Sequence, residues 1–252
     1  MPTLELSYIK TMSHTSPLAR ALHYLSLHRL RVLILFACVF LPLVVVGKIA
    51  DNIVDRESFG WDNGILLWFH AHSSSALNPF VLFFTNLGGP IVMPLASLAV
   101  VIALYTQHQR SRALFFGLAM LGELLLNQGA KLVFTRPRPD LWAHLVDEKA
   151  FSFPSGHAMA SSAFVTALVL LLWYTRWRTV AIVLGALFVL LVCSSRLYLG
   201  VHYPSDVLTG ALASLAWVVG LRQIFRSRDP DVLKAQGHLN ETGEWAQPEP
   251  HL

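Results

Sequence analysis

Six stretches of this chain stay apolar for close to twenty residues each. A lipid bilayer takes about 20 mainly apolar residues per spanning helix, because the backbone there must satisfy its own hydrogen bonds. The runs extend from Val32 to about Ile49, about Asn86 to Tyr105, Ala113 to Phe134, His157 to Tyr174, Val180 to Leu199, and Pro204 to about Ile224. They predict an all-α fold, an integral membrane bundle of six transmembrane helices that forms one domain over residues 1–252. The first run starts too far into the chain for a secretory signal and lacks a small-residue cleavage site, so it reads as a retained anchor. Residues 1–28 and 226–252 are polar tails.

Only 13% of the residues are charged, against about 25% in soluble domains, and 54% are hydrophobic. No soluble domain of useful size is left over. The net charge of +4 does not indicate a nucleic-acid partner, because the basic residues sit in short loops between apolar runs, where they set orientation. With the N-terminus inside, the inner segments hold Arg20, Arg29, Arg31, Arg110, Arg112, Arg176, Arg178, Arg222, Arg226 and Arg228. This excess puts both tails in the cytoplasm. The ends of the third and fifth runs and the starts of the fourth and sixth then share the outer face. The stretch Trp61 to His72 is too short to span. Its aromatic residues suit a segment in the headgroup layer, and an ordinary amphipathic connector explains it equally well. His70 and His72 lack a third ligand nearby, so no metal site is expected.

Three segments at those outer ends share one chemistry. The first, Lys131 to Pro139 (KLVFTRPRP), carries Lys131, Arg136 and Arg138. Charges this close to hydrocarbon are costly unless paired or wet. A snorkelling interfacial anchor explains one of them, Arg136. Pro137 and Pro139 stiffen the backbone around Arg138, whose planar fork of donors matches phosphate oxygens. On the same helix Glu123, Asn127 and Lys131 are spaced i, i+4, i+8 and share a face. Glu123 and Asn127 read either as a polar trail supporting Lys131 and its neighbours or as packing hydrogen bonds within the bundle.

The second segment is Pro154 to His157 (PSGH), directly before the fourth run. Ser155 suits a helix N-cap, Gly156 allows close backbone approach, and a helix N-terminus attracts anions. The third, Ser195 to Asp206 (SRLYLGVHYPSD), carries Arg196, His202 and Asp206. A carboxylate that reaches one imidazole nitrogen fixes the tautomer and frees the other to attack. Together the segments describe a phosphate-handling site at one membrane face.

These blocks fit the patterns Lys, six residues, Arg-Pro; Pro-Ser-Gly-His; and Ser-Arg, five residues, His, three residues, Asp. In this the chain resembles the type 2 phosphatidic acid phosphatase (PAP2) superfamily, which includes vanadium haloperoxidases and soluble acid phosphatases. The resemblance implies that His202 is a nucleophile forming a phosphohistidine, that Asp206 orients it, and that His157 protonates the leaving oxygen. Lys131, Arg138 and Arg196 would hold the phosphoryl oxygens, aided by Ser155 and the Gly156 amide. It implies no cofactor and no metal. The expected activity is hydrolysis of the terminal phosphate of a lipid phosphate or diphosphate in the plasma membrane, at its periplasmic or extracellular face. Undecaprenyl diphosphate, phosphatidylglycerophosphate and phosphatidic acid are the candidate substrates, with the first favoured by an outward site. The alternatives are a lipid phosphotransferase using the same phosphohistidine, and a non-catalytic lipid-binding or transport protein.

Overall fold

A computed structural model of the chain describes residues 32–55 and 59–225. The tails expected at 1–28 and 226–252 lie outside the described residues. Eight helices are described: α1 (Val32–Val54), α2 (Gly60–Ala71), α3 (Asn78–Leu87), α4 (Val92–Thr106), α5 (Arg110–Phe134), α6 (Gly156–Leu171), α7 (Arg178–Tyr198) and α8 (Pro204–Phe225). The described residues contain no strand.

Helices α1, α5, α7 and α8 are each long and apolar enough to cross a bilayer. The second expected run is not one straight rod. It begins earlier, at Asn78, and breaks at Gly88-Gly89-Pro90, where α3 and α4 meet at a bend of 43°. Proline offers no N–H to continue the helix. Gly88 allows the break to lie against α7, since a Cβ there would clash with Val192 Cγ1. The fourth run forms α6, of 16 residues, about 24 Å at the usual rise and shorter than a bilayer core. Four helices thus have the length of a span, five if the bent pair counts as one, and α6 is a shorter apolar helix, so the described residues do not reproduce the expected count of six full-length spans. Outward-facing Leu132, Val133, Leu125 and Leu190 are all strongly exposed, as lipid-facing side chains are. The chain is an integral membrane protein.

Helix α8 packs against α6, α1 and α5, and α6 also packs against α7 and α5. Away from the motif ends, Phe115, Phe116 and Ala119 of α5 meet Ala163, Ala167 and Leu171 of α6 and Val218, Leu221 and Phe225 of α8. Alanines in that seam let the helices approach closely without a solvent-driven hydrophobic force. Near the other end, a Cβ on Gly210 of α8 would lie 2.8 Å from the Ser155 carbonyl oxygen. That glycine lets α8 touch the start of α6. The chain reverses between α7 and α8 through Gly200 at φ +69°, a backbone angle glycine adopts without strain. These packings bring the C-termini of α5 and α7 and the N-termini of α6 and α8 to one end of the bundle.

The segment expected in the headgroup layer is α2. Trp61 and Trp68 face outward while Asp62 and Leu66 are buried. One face of α2 therefore reaches into the motif end of the bundle.

Candidate active site

Helix α5 stops at Thr135, whose backbone is left-handed (φ 43°, ψ 32°). The following Arg136-Pro137-Arg138-Pro139 strap turns back over the helix ends. Arg138 is fixed there by the protein backbone. Its Nε donates to Ala150 O at 2.8 Å and its Nη1 to Val201 O at 2.6 Å. Nη1 also lies 3.1 Å from His202 Nε2. Arg196, at the end of α7, donates from Nη1 to Thr85 Oγ1 of α3 at 2.6 Å and from Nη2 to Glu148. Glu148 reaches Arg138 Nη2 as well, at 3.3 Å. One carboxylate thus bridges two guanidinium groups.

Ser155 occupies the N-cap position of α6, yet its hydroxyl makes no capping bond. That Oγ is buried and has no hydrogen-bond partner among the described residues. The Ser155 amide donates to Asp206 O at 3.1 Å, which ties the start of α6 to α8. Asn127 braces the same turn from α5. Its Nδ2 donates to Pro154 O at 3.1 Å and approaches Met159 Sδ at 3.2 Å. A Cβ on Gly156 would stand 3.1 Å from Asn127 Oδ1, so the glycine admits that brace. Glu123, one turn deeper than Asn127, is buried but forms no hydrogen bond or ion pair among the described residues.

His202 is fully enclosed, at 1% exposure, and Asp206 is at 0%. A buried ion without partners would cost several kcal/mol. Asp206 meets that cost with three hydrogen-bond donors and a nearby imidazole. Arg136 Nη1 and the Ser152 hydroxyl bind it closely, the Tyr203 amide donates at 2.8 Å, and His202 Nδ1 faces its Oδ2 at 3.7 Å. The last separation is longer than a hydrogen bond. A guanidinium can only donate, so the Arg138 contact assigns the lone pair to His202 Nε2 and the proton to Nδ1. Burial, then the positive charges of Arg196, Arg138 and Lys131, hold this imidazole well below its ordinary value of 6.5. It is therefore neutral at pH 7. Burial would raise the Glu148 carboxyl, but Arg196 and Arg138 outweigh it and hold it below its ordinary 4.5.

A cleft of about 540 Å³ opens onto this cluster. Lys131, Arg138, Glu148, Gly156, His157 and His202 line its polar end. Pro94, Leu98, Val101, Met120, Leu121 and Leu124 line its apolar arm between α4 and α5, where Glu123 also sits. The polar end concentrates positive charge and imidazole nitrogen on one small volume. That combination suits an oxyanion attacked by a nitrogen nucleophile.

The motif residues Lys131, Arg138, Ser155, Gly156, His157, Arg196, His202 and Asp206 all gather at this end. Glu123 makes no hydrogen bond to them but lines the same cleft. Arg136 is not an interfacial anchor. Its side chain is only 11% exposed, paired with Asp206 and with Asp62 at 3.0 Å, and laid over the Tyr203 ring at 4.1 Å. The headgroup and the connector readings of α2 both left out Asp62, which accepts from the Ser205 amide at 2.9 Å and from its hydroxyl at 2.6 Å. Glu148, Ser152 and Thr85 were also missed. None belongs to the three motifs, and only the folded chain supplies its partner.

The family model described as "PAP2 superfamily" matches residues 112–230. The undecaprenyl-diphosphatase of Sulfolobus acidocaldarius is 26% identical over 76% of this chain and 89% of its own. Phosphatidylglycerophosphatase B of Bacillus subtilis is 37% identical over 34% of this chain, which spans less than half (44%) of that relative. Among solved structures, a transmembrane PAP2-type phosphatidylglycerolphosphate phosphatase from Bacillus subtilis superposes with a TM-score of 0.65 at 25% identity, over 75% of this chain and 94% of its own.

Proposed function

The chain belongs to the PAP2 superfamily, and from that membership we propose that it is a membrane phosphatase removing the terminal phosphate of a lipid phosphate or diphosphate. One observation carries the reading. Lys131, Arg138, His157 and His202 line a single cleft, and Glu148 ties Arg196 to Arg138 beside it.

The phosphate displaces Glu148 and takes its place between Arg138 and Arg196, with Lys131 on a third side. His202 Nε2 attacks phosphorus, forming an N–P bond as the bond to the leaving oxygen breaks. His157 gives that oxygen its proton, and Asp206 balances the positive charge on the His202 ring. Water deprotonated by His157 then attacks phosphorus, releasing inorganic phosphate and the neutral imidazole. Phosphoryl transfer asks mostly for positioning and charge stabilisation, and fixed cations in a dry site supply both. The buried Ser155 hydroxyl and the Gly156 amide, at the helix N-terminus, add donors. No step in this scheme needs a metal.

The lipid tail lies in the apolar arm between α4 and α5, still within the bilayer, while the headgroup reaches the polar end. The positive-inside reading puts this end at the periplasmic or extracellular face and both tails in the cytoplasm. An outward site would meet undecaprenyl diphosphate where that carrier is released, and a relative named for this activity aligns over most of its length. Phosphatidylglycerophosphate and phosphatidic acid complete the candidate set.

Phosphate release from these three lipids by the purified protein in mixed micelles tests the proposal. Release from at least one, unchanged by EDTA and blocked by vanadate, is the expected result. Activity that disappears with EDTA and returns with a divalent ion would overturn the metal-free scheme. No release from any of the three would overturn the lipid phosphatase reading.

A further inference from the structure

Helix α2 is too short to span, and none of its residues belongs to the three motifs. Yet Asp62 in its first turn is 2% exposed and reaches the catalytic end. Its carboxylate accepts from the Ser205 amide, the Ser205 hydroxyl and Arg136 Nη2 at 2.9, 2.6 and 3.0 Å. Arg136 Nη1 then donates to Asp206 and to Ser205 Oγ, the latter at 2.8 Å. Asp206 faces His202 Nδ1. Four groups therefore stand in a row: Asp62, Arg136, Asp206 and His202.

We propose that Asp62 is a positioning residue for phosphoryl transfer, acting on His202 through Arg136 and Asp206. This rests on the reading of His202 as the nucleophile. The charges alternate along this row. During attack the His202 ring becomes positive and needs the negative charge of Asp206. Arg136, in direct contact with Asp206, cancels much of that charge. Asp62 neutralises Arg136 from the far side, so the row of three keeps a net charge of −1 toward the imidazole. In so buried a place charges act strongly over several ångströms. Asp62 also holds Ser205, and with it the turn that carries His202 into α8. A short helix outside the three motifs thus sets the electrostatics of a nucleophile it never touches.

Steady-state kinetics on whichever lipid the wild-type protein hydrolyses tests this. Asp62→Asn is expected to lower kcat by ~10²-fold, the scale of a disturbed reacting geometry, with KM within about threefold because Lys131, Arg138 and Arg196 are untouched. Vanadate should still raise its unfolding temperature by the wild-type amount. The double variant Asp62→Asn/Arg136→Gln removes both charges and should recover at least ~10-fold of the lost kcat, a non-additivity expected of coupled neighbours. The double variant also serves if Asp62→Asn alone fails to fold: a kcat within about tenfold of wild type is its expected result, and a larger loss would overturn the proposal. A wild-type kcat in Asp62→Asn would overturn the proposal. So would a double variant no faster than its slower single parent, as a merely structural role predicts. A wild-type protein without phosphatase activity, or a His202→Ala variant with full turnover, would instead overturn the proposed function.

Discussion

His202 offers its two nitrogens to opposite partners, with Arg138 at Nε2 and Asp206 beyond Nδ1. The proposed scheme therefore predicts that His202→Ala abolishes phosphate release. His157→Ala should reduce it by ~10²–10⁴-fold, the usual share of a general acid, while vanadate still protects the protein against unfolding. The buried imidazole also couples stability to pH. In the folded chain His202 stays neutral well below 6.5, whereas in the unfolded chain it protonates below that value. The unfolded state then binds more protons, so this residue makes stability fall as pH drops below 6.5, by at most about 1.4 kcal/mol per pH unit. Thermal unfolding in detergent between pH 7.5 and pH 5 should show a shallower fall for His202→Gln than for wild type. Glu148 gives a further test. It occupies both guanidinium groups, and Arg138 and Arg196 keep other partners without it. Glu148→Gln should tighten vanadate inhibition several-fold, and weaker inhibition would mean that the acid holds the arginines in place.

At the scale of elements, the site depends on helix ends that meet. Gly210→Val should force α8 away from the Ser155 carbonyl, with a loss of ~1–3 kcal/mol typical of overpacking and a matching loss of turnover, read from unfolding temperature and phosphate release. The sequence made most of these ends legible, because a spanning helix has to be apolar for a fixed length and its polar flanks mark where it stops. Lys131, Ser155, Arg196 and His202 could be placed on that ground alone. The bend between α3 and α4 was less visible. Gly88-Gly89-Pro90 is a strong breaker signal, but the hydropathy of the flanking residues continues across it. Asp62 and Arg136 were hidden for another reason. A buried ion pair and an exposed anchor have the same residue types, and only the fold distinguishes them.

For the whole molecule, a bundle that alternates direction through the bilayer collects three distant segments at one face and leaves an apolar core at the other. The cleft runs from that end into an apolar arm between α4 and α5, a shape that suits a phosphatase for membrane lipids. Everything proposed for it passes through one covalent bond, from His202 Nε2 to phosphorus. The most direct test is to mix the protein in micelles with a substrate lipid labelled with ³²P at its terminal phosphate, quench in alkali during turnover, and map the label by peptide mass spectrometry. The account predicts acid-labile, alkali-stable phosphate on His202 in the wild-type protein and no labelled histidine in a His202→Ala variant. Phosphate on a different residue, or steady turnover with none on His202, would contradict it.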